Sequence, residues 1–235
     1  DAATASVAIV AGAALFNEGR FRAARDVWIA EGLPSETPDE RDGGVLDGDA
    51  GSDRDAERLL RALAATAAAA RGAADGDGDA TERAETAGRA LSDTTDPRGV
   101  ELTPLREWAE RIAAESERAD PVDAVPGRAT AGEEGSATPP RVRVEGEAPT
   151  FEALPLLAAG VAAAALARAG EPGDAEVIAT GADLAREERG TGRTEFAELL
   201  FAYLRTPDAR PQVAARLGDR VEIEERKRRD VGGLF

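Results

Sequence analysis

The turn Asp75-Gly76-Asp77-Gly78-Asp79 opens like a calcium-binding loop, with carboxylates at alternate positions. Such a loop needs glycine at its sixth position for a sharp bend and a bidentate glutamate at its twelfth. Those positions hold Ala80 and Thr86, so the spacing predicts a solvated acidic turn. Asp47, Asp49 and Asp53 make a second acidic stretch of the same kind. Gly190-Thr191-Gly192-Arg193-Thr194 superficially resembles a phosphate loop, but it lacks the lysine and the preceding strand, and reads as a helix connection. Asp183 with Glu187, and Glu195 with Glu198, stand at helical spacing and would share a helix face. A di-iron bundle would need Glu-x-x-His partners, and the chain has no histidine.

Histidine, cysteine and methionine are all absent. Their absence excludes disulfides, zinc sites of the usual kind and histidine general-base chemistry. No serine or threonine has a histidine to activate it, and the single lysine, Lys227, sits among arginines. No catalytic constellation emerges, and neither a metal nor a cofactor is expected.

The chain has 235 residues with a net charge of −17, from 46 acidic and 29 basic residues. All the basic residues but Lys227 are arginine, and alanine makes up about a fifth of the chain. Abundant carboxylate, scarce lysine and few large hydrophobes form a pattern expected in molar salt, where a Debye length of ~3 Å screens self-repulsion. The same charge disfavours nucleic acid, whose phosphates require a basic surface. The one basic cluster, Arg226-Lys227-Arg228-Arg229, follows Glu222-Ile223-Glu224-Glu225 and reads as the paired end of a C-terminal helix. The apolar start at Val7–Leu15 lacks the basic region of a signal peptide. The longest apolar run, Leu154–Ala167, is too short for a bilayer and contains Pro155. The expected setting is cytoplasmic, with no membrane partner.

Alanine is the best helix former, and apolar residues recur at helical spacing along most of the chain. Helices are expected over about 3–17, 21–30, 54–74, 81–91, 104–118, 151–169, 174–189, 194–205 and 208–217, with another over 219–229. Gly19 is placed to end the first helix in the left-handed conformation. Thr103 caps the fifth, with Pro104 in its first turn. Residues 119–150, with five prolines and four glycines, read as a linker containing a short extended piece at Arg141–Glu145. Phe196, Leu199, Leu200, Tyr203 and Leu204 make the strongest apolar stripe and are expected in the core. The class is all-α: packed antiparallel helical hairpins, in two helical halves joined by a Pro/Gly-rich connector. The expected divisions are 1–94, a connector over 95–150 carrying the helix at about 104–118, and 151–235.

The stretch Phe16-Asn17-Glu18-Gly19-Arg20-Phe21, followed by Ala24-Arg25-Asp26-Val27-Trp28, resembles the family called domain of unknown function 309, in the long form found in salt-loving archaea. That family carries Phe-Asn-x-Gly-x-aromatic and then Ala-His-Glu-x-Trp-Glu. Here Arg25 replaces its histidine and Ile29 its final glutamate, while Asp26 keeps the acidic character. In the next helix Arg61 and Ala62 stand where the family has Gln and Gly. The resemblance implies an all-helical scaffold whose polar site is mostly replaced. A tetratricopeptide-like helix pair fits the spacing of Gly12, Ala14, Gly19, Phe21, Ala24 and Trp28 as well, but no 34-residue period runs through the chain.

The leading expectation is a noncatalytic binding or structural module of a salt-adapted cytoplasm. Its candidate binding residues are Phe16, Asn17, Phe21, Arg25, Asp26 and Trp28, with a protein partner or a second copy as ligand. The alternative is a carboxylate- and arginine-based enzyme or metal-dependent protein with its site near Arg25 and Asp26. An open groove at the three aromatics favours the first; a pocket shared by Arg25 and Asp26 favours the second.

Overall fold

A computed structural model describes residues 2–32, 50–118, 138–189 and 194–232. The α1 helix (Ala2–Asn17) and α2 (Phe21–Gly32) form a hairpin, and α3 (Ala50–Asp75), α4 (Ala80–Ser92) and α5 (Thr103–Arg118) extend it. The α6 helix (Leu156–Arg168), α7 (Ala175–Glu188), α8 (Glu195–Arg205) and α9 (Arg210–Gly232) follow, with one 3-10 turn at Pro207–Ala209. Among the described residues the only β pairing is isolated bridges, so the class is all-α, built of packed helices. The Asp47 and Asp49 stretch, the Gly190–Arg193 connection and most of the 119–150 linker lie outside the described residues.

Two of the turns are built alike. Gly19 takes a φ of 70°, its N–H donates to Phe16 O at 2.9 Å, and Arg20 N–H donates to Leu15 O at 2.8 Å. Gly170 takes a φ of 106°, its N–H donates to Ala167 O at 3.0 Å, and Glu171 N–H donates to Leu166 O at 3.0 Å. Each is the Schellman closure in which a left-handed residue lets two amides satisfy helix-end carbonyls, a conformation glycine adopts without a Cβ penalty. Asp174 then caps α7, accepting from Glu176 N at 2.8 Å and Val177 N at 3.1 Å.

One hydrophobic core runs through the described helices. The α6 helix packs against α1 and α2 on one side and against α7 and α8 on another. Alanines such as Ala11, Ala14, Ala67, Ala159, Ala162 and Ala163 are fully buried, so the helices approach closely through small side chains. A β-carbon on Gly160 would lie 2.6 Å from Ala182 Cβ, which marks how near α6 and α7 come.

Three element boundaries depart from the periodicity. The helix expected from residue 151 begins at Leu156, because Pro155 is extended at its start. Phe151 and Leu154 are buried ahead of it. The helices expected over 208–217 and 219–229 are one, α9, since Gly218 continues the helix. The α5 helix starts at Thr103 itself, with Pro104 in the first turn, where no amide donor is needed.

Residues 138–150 are anchored to the helices. Val144 makes antiparallel bridges with Val100 and Glu147, and Glu145 N–H donates to Gly99 O at 2.7 Å. Val142 is fully buried. Of the extended piece expected at Arg141–Glu145, Val144 makes the bridges, whereas Glu145 turns the chain with a φ of 54°.

Candidate functional site

The aromatic candidates sit inside the fold. Trp28 and Phe16 are buried, and their ring centroids lie 6.1 Å apart. Phe21 is half-buried and meets Phe16 edge-on at 5.0 Å. An open groove at these three rings would have supported binding there; instead the first two fill core space, and of the three Phe21 lines a surface pocket, beside Arg22 and Arg71. A β-carbon at Gly12 would come within 2.2 Å of Trp28 Nε1, so the indole lies directly on α1.

Asn17 is bonded on both ends of its amide. Its Nδ2 donates to Val142 O and Pro149 O, each at 3.0 Å, and its Oδ1 accepts from Val142 N at 2.7 Å. This side chain fastens the 138–150 segment to the end of α1, which makes Asn17 a positioning group rather than an open ligand contact.

Arg25 and Asp26 are both substantially exposed and 3.8 Å apart at their charged atoms. Of the two, only Asp26 lines a groove, of about 680 Å³, between α1, α2, α6 and α7. Its apolar lining comes from Val7, Val27, Leu157, Val161, Ala164 and Ala179, and its charges are Asp26, Asp183, Arg168 and Arg186. Arg186 Nη1 donates to Asp183 at 2.9 Å. Leu157 is 44% exposed, one of two large hydrophobics so open among the described residues. Periodicity could have flagged this stripe, but it lies in an alanine-rich run whose other faces are equally apolar.

A second arrangement joins distant segments. Glu171 accepts from Arg20 at 2.9 Å and pairs with Arg210 at 2.9 Å. Arg210 is 1% exposed, and it also donates to the carbonyls of Tyr203 at 3.0 Å and Leu204 at 3.3 Å. Tyr203 donates its hydroxyl to Pro172 O at 2.7 Å. Burial pushes its phenol up to about 12. The cluster closes the ends of α6 and α8.

Several other carboxylates are held by arginines or hydroxyls. Asp77 accepts from Arg83 at 2.7 Å, and that bond holds its carboxyl below the usual range. Glu187 meets Arg228, Glu195 meets Arg220, and Glu198 accepts from Thr194 at 2.7 Å. Among the described residues no group of three or more carboxylates gathers around one point that could hold a metal ion. In the basic stretch, Arg226 pairs with Glu222 and Lys227 with Glu224. Among the described residues no helix is long and apolar enough to cross a membrane.

Compared with protein-family profiles, with curated proteins and with solved structures, the chain finds no match.

Proposed function

We propose that the chain is a noncatalytic helical binding module, on a scaffold akin to domain of unknown function 309, that receives a helix of a protein partner in the groove along α6. One observation carries this reading. All but one residue of α6 is apolar or glycine, and a helix of that kind is normally covered on every side. Its stripe of Leu157 and Val161 nevertheless opens on the groove. An apolar floor with charged residues at the rim is the form of a helix-receiving groove, in which anchors at helical spacing supply the affinity. The enzyme reading draws no comparable support, because Asp26 lines the groove without Arg25.

The proposed setting is a salt-rich cytoplasm, supported by the charge of −17 and the single lysine. A melting temperature equal in dilute and molar KCl counts against that setting. The binding reading is tested by a photo-crosslinking side chain at Val161 in the tagged full chain, illuminated in a native high-salt lysate. The expected result is a discrete adduct that Leu157→Arg abolishes. Absence of an adduct, or one indifferent to Leu157→Arg, overturns the reading.

A further inference from the structure

We infer that Lys227 is an acyl-acceptor site, its side-chain amine taking an acyl group from a thioester donor. The chain carries 29 basic side chains, and Lys227 is the one that is not arginine. Ion pairing does not account for the exception. On the same turn of α9, Arg226 meets Glu222 at 2.7 Å and Arg228 meets Glu187. Lys227 meets Glu224 at 3.2 Å, and an arginine would serve that pair as well, since its planar fork suits a carboxylate. What arginine cannot supply is a nitrogen that gives up its proton and then acts as a nucleophile. Methylation does not require lysine either, because arginine accepts methyl groups with its charge kept. Acyl transfer is the chemistry that needs the amine.

The surroundings make this amine both reachable and recognisable. From Glu222 to Asp230 no residue of α9 is buried, and the Lys227 side chain is 62% exposed. Ile223 stands one turn earlier on the same face, 39% exposed and, with Leu157, one of two large hydrophobics so open among the described residues. Both Ile223 and Lys227 line a groove of about 550 Å³ beside Thr194 and Phe196. An aliphatic contact one turn from the amine gives a transfer partner something to grip that an all-charged face would not. In the step itself the ammonium first leaves Glu224 and gives one proton to solvent. The free amine attacks the carbonyl carbon of the thioester, the C–N bond forms as the C–S bond breaks, and the thiolate leaves with the second proton. The amide is neutral, so Glu224 loses its partner and the chain becomes one charge more negative than −17.

The test is mass spectrometry of the full chain isolated from the cells that make it. The expected result is an acyl group on a fraction of the peptides that contain Lys227, with the added mass identifying the acid. Lys227→Arg keeps the charge and should abolish the adduct without moving the melting temperature. Ile223→Asp, at an open position, should lower the acylated fraction roughly tenfold, the worth of one aliphatic contact, and circular dichroism confirms that the variant is folded. Lys227 unmodified in chain from both growing and starved cells overturns the inference. So does a methylated Lys227, a product that arginine could also have given. Acylation indifferent to Ile223→Asp overturns it too, because the amine is then modified without recognition of this face.

Discussion

Arg20 and Glu171 hold the same position in two copies of one turn, each the residue after a left-handed glycine, and their side chains meet at 2.9 Å. The end of the α1–α2 hairpin is thereby tied to the end of α6. The other carboxylate oxygen of Glu171 serves Arg210, which is buried. Removing one partner of a buried pair leaves an uncompensated charge, at a cost of about 3–5 kcal/mol. Glu171→Gln is therefore expected to destabilise strongly, whereas Arg20→Ala, at a half-buried position whose charge still reaches solvent, should cost only about 1 kcal/mol. Urea unfolding at fixed salt separates the two; equal losses would contradict the assignment.

Gly12 and Trp28 make a second such dependence. Adding a methyl group at residue 12 drives a β-carbon into the indole, and overpacking of this kind costs about 3 kcal/mol. Gly12→Ala should lower the melting temperature and shift the tryptophan emission. A variant as stable as the parent would show that Trp28 has room to move.

Asn17 closes three backbone partners of the 138–150 segment. Asn17→Ala leaves buried peptide groups without those bonds, and each such loss costs about 1–3 kcal/mol. Asn17→Asp keeps the acceptor but sets a carboxylate against two carbonyls, and should be no better. Amide exchange at Val142 is the readout: it should speed up in both variants while α6 amides stay protected. Unchanged protection at Val142 would remove the anchoring role.

Tyr203 is the only tyrosine in the chain, so its ionisation can be followed by absorbance without ambiguity. Burial moves its phenol from the ordinary 10.0 to about 12. The folded state then holds the proton more tightly than the unfolded state, so unfolded chains lose protons first as alkali is added. Stability should fall as pH rises from about 10 to about 12, with little contribution from this group below that window. Half-ionisation of the folded protein near 10 would contradict the burial of the ring.

The helices and the first hairpin were legible because α-helical periodicity and the Gly19 stop are local signals. The continuity of α9 was not, since a glycine mid-helix costs only ~1 kcal/mol and the packed face of the helix outweighs it. Nor was the seating of residues 138–150, which depends on Asn17 more than a hundred positions away. The candidate aromatics could be found from sequence, but whether Phe16 and Trp28 formed a groove or filled one could not. That depends on Gly12 opening space in α1. The α6 groove was hidden for the opposite reason: in an alanine-rich helix, the residues facing solvent look like those facing the core.

The aromatic chromophores are unevenly placed. Both tryptophans, Trp28 on α2 and Trp108 on α5, are buried among the first five helices, while the lone tyrosine lies on α8. Indole fluorescence and phenol absorbance thus report on different ends of the chain without any added label. If the clamp between Arg20 and Glu171 makes the molecule one cooperative unit, the two optical signals will trace a single melting curve.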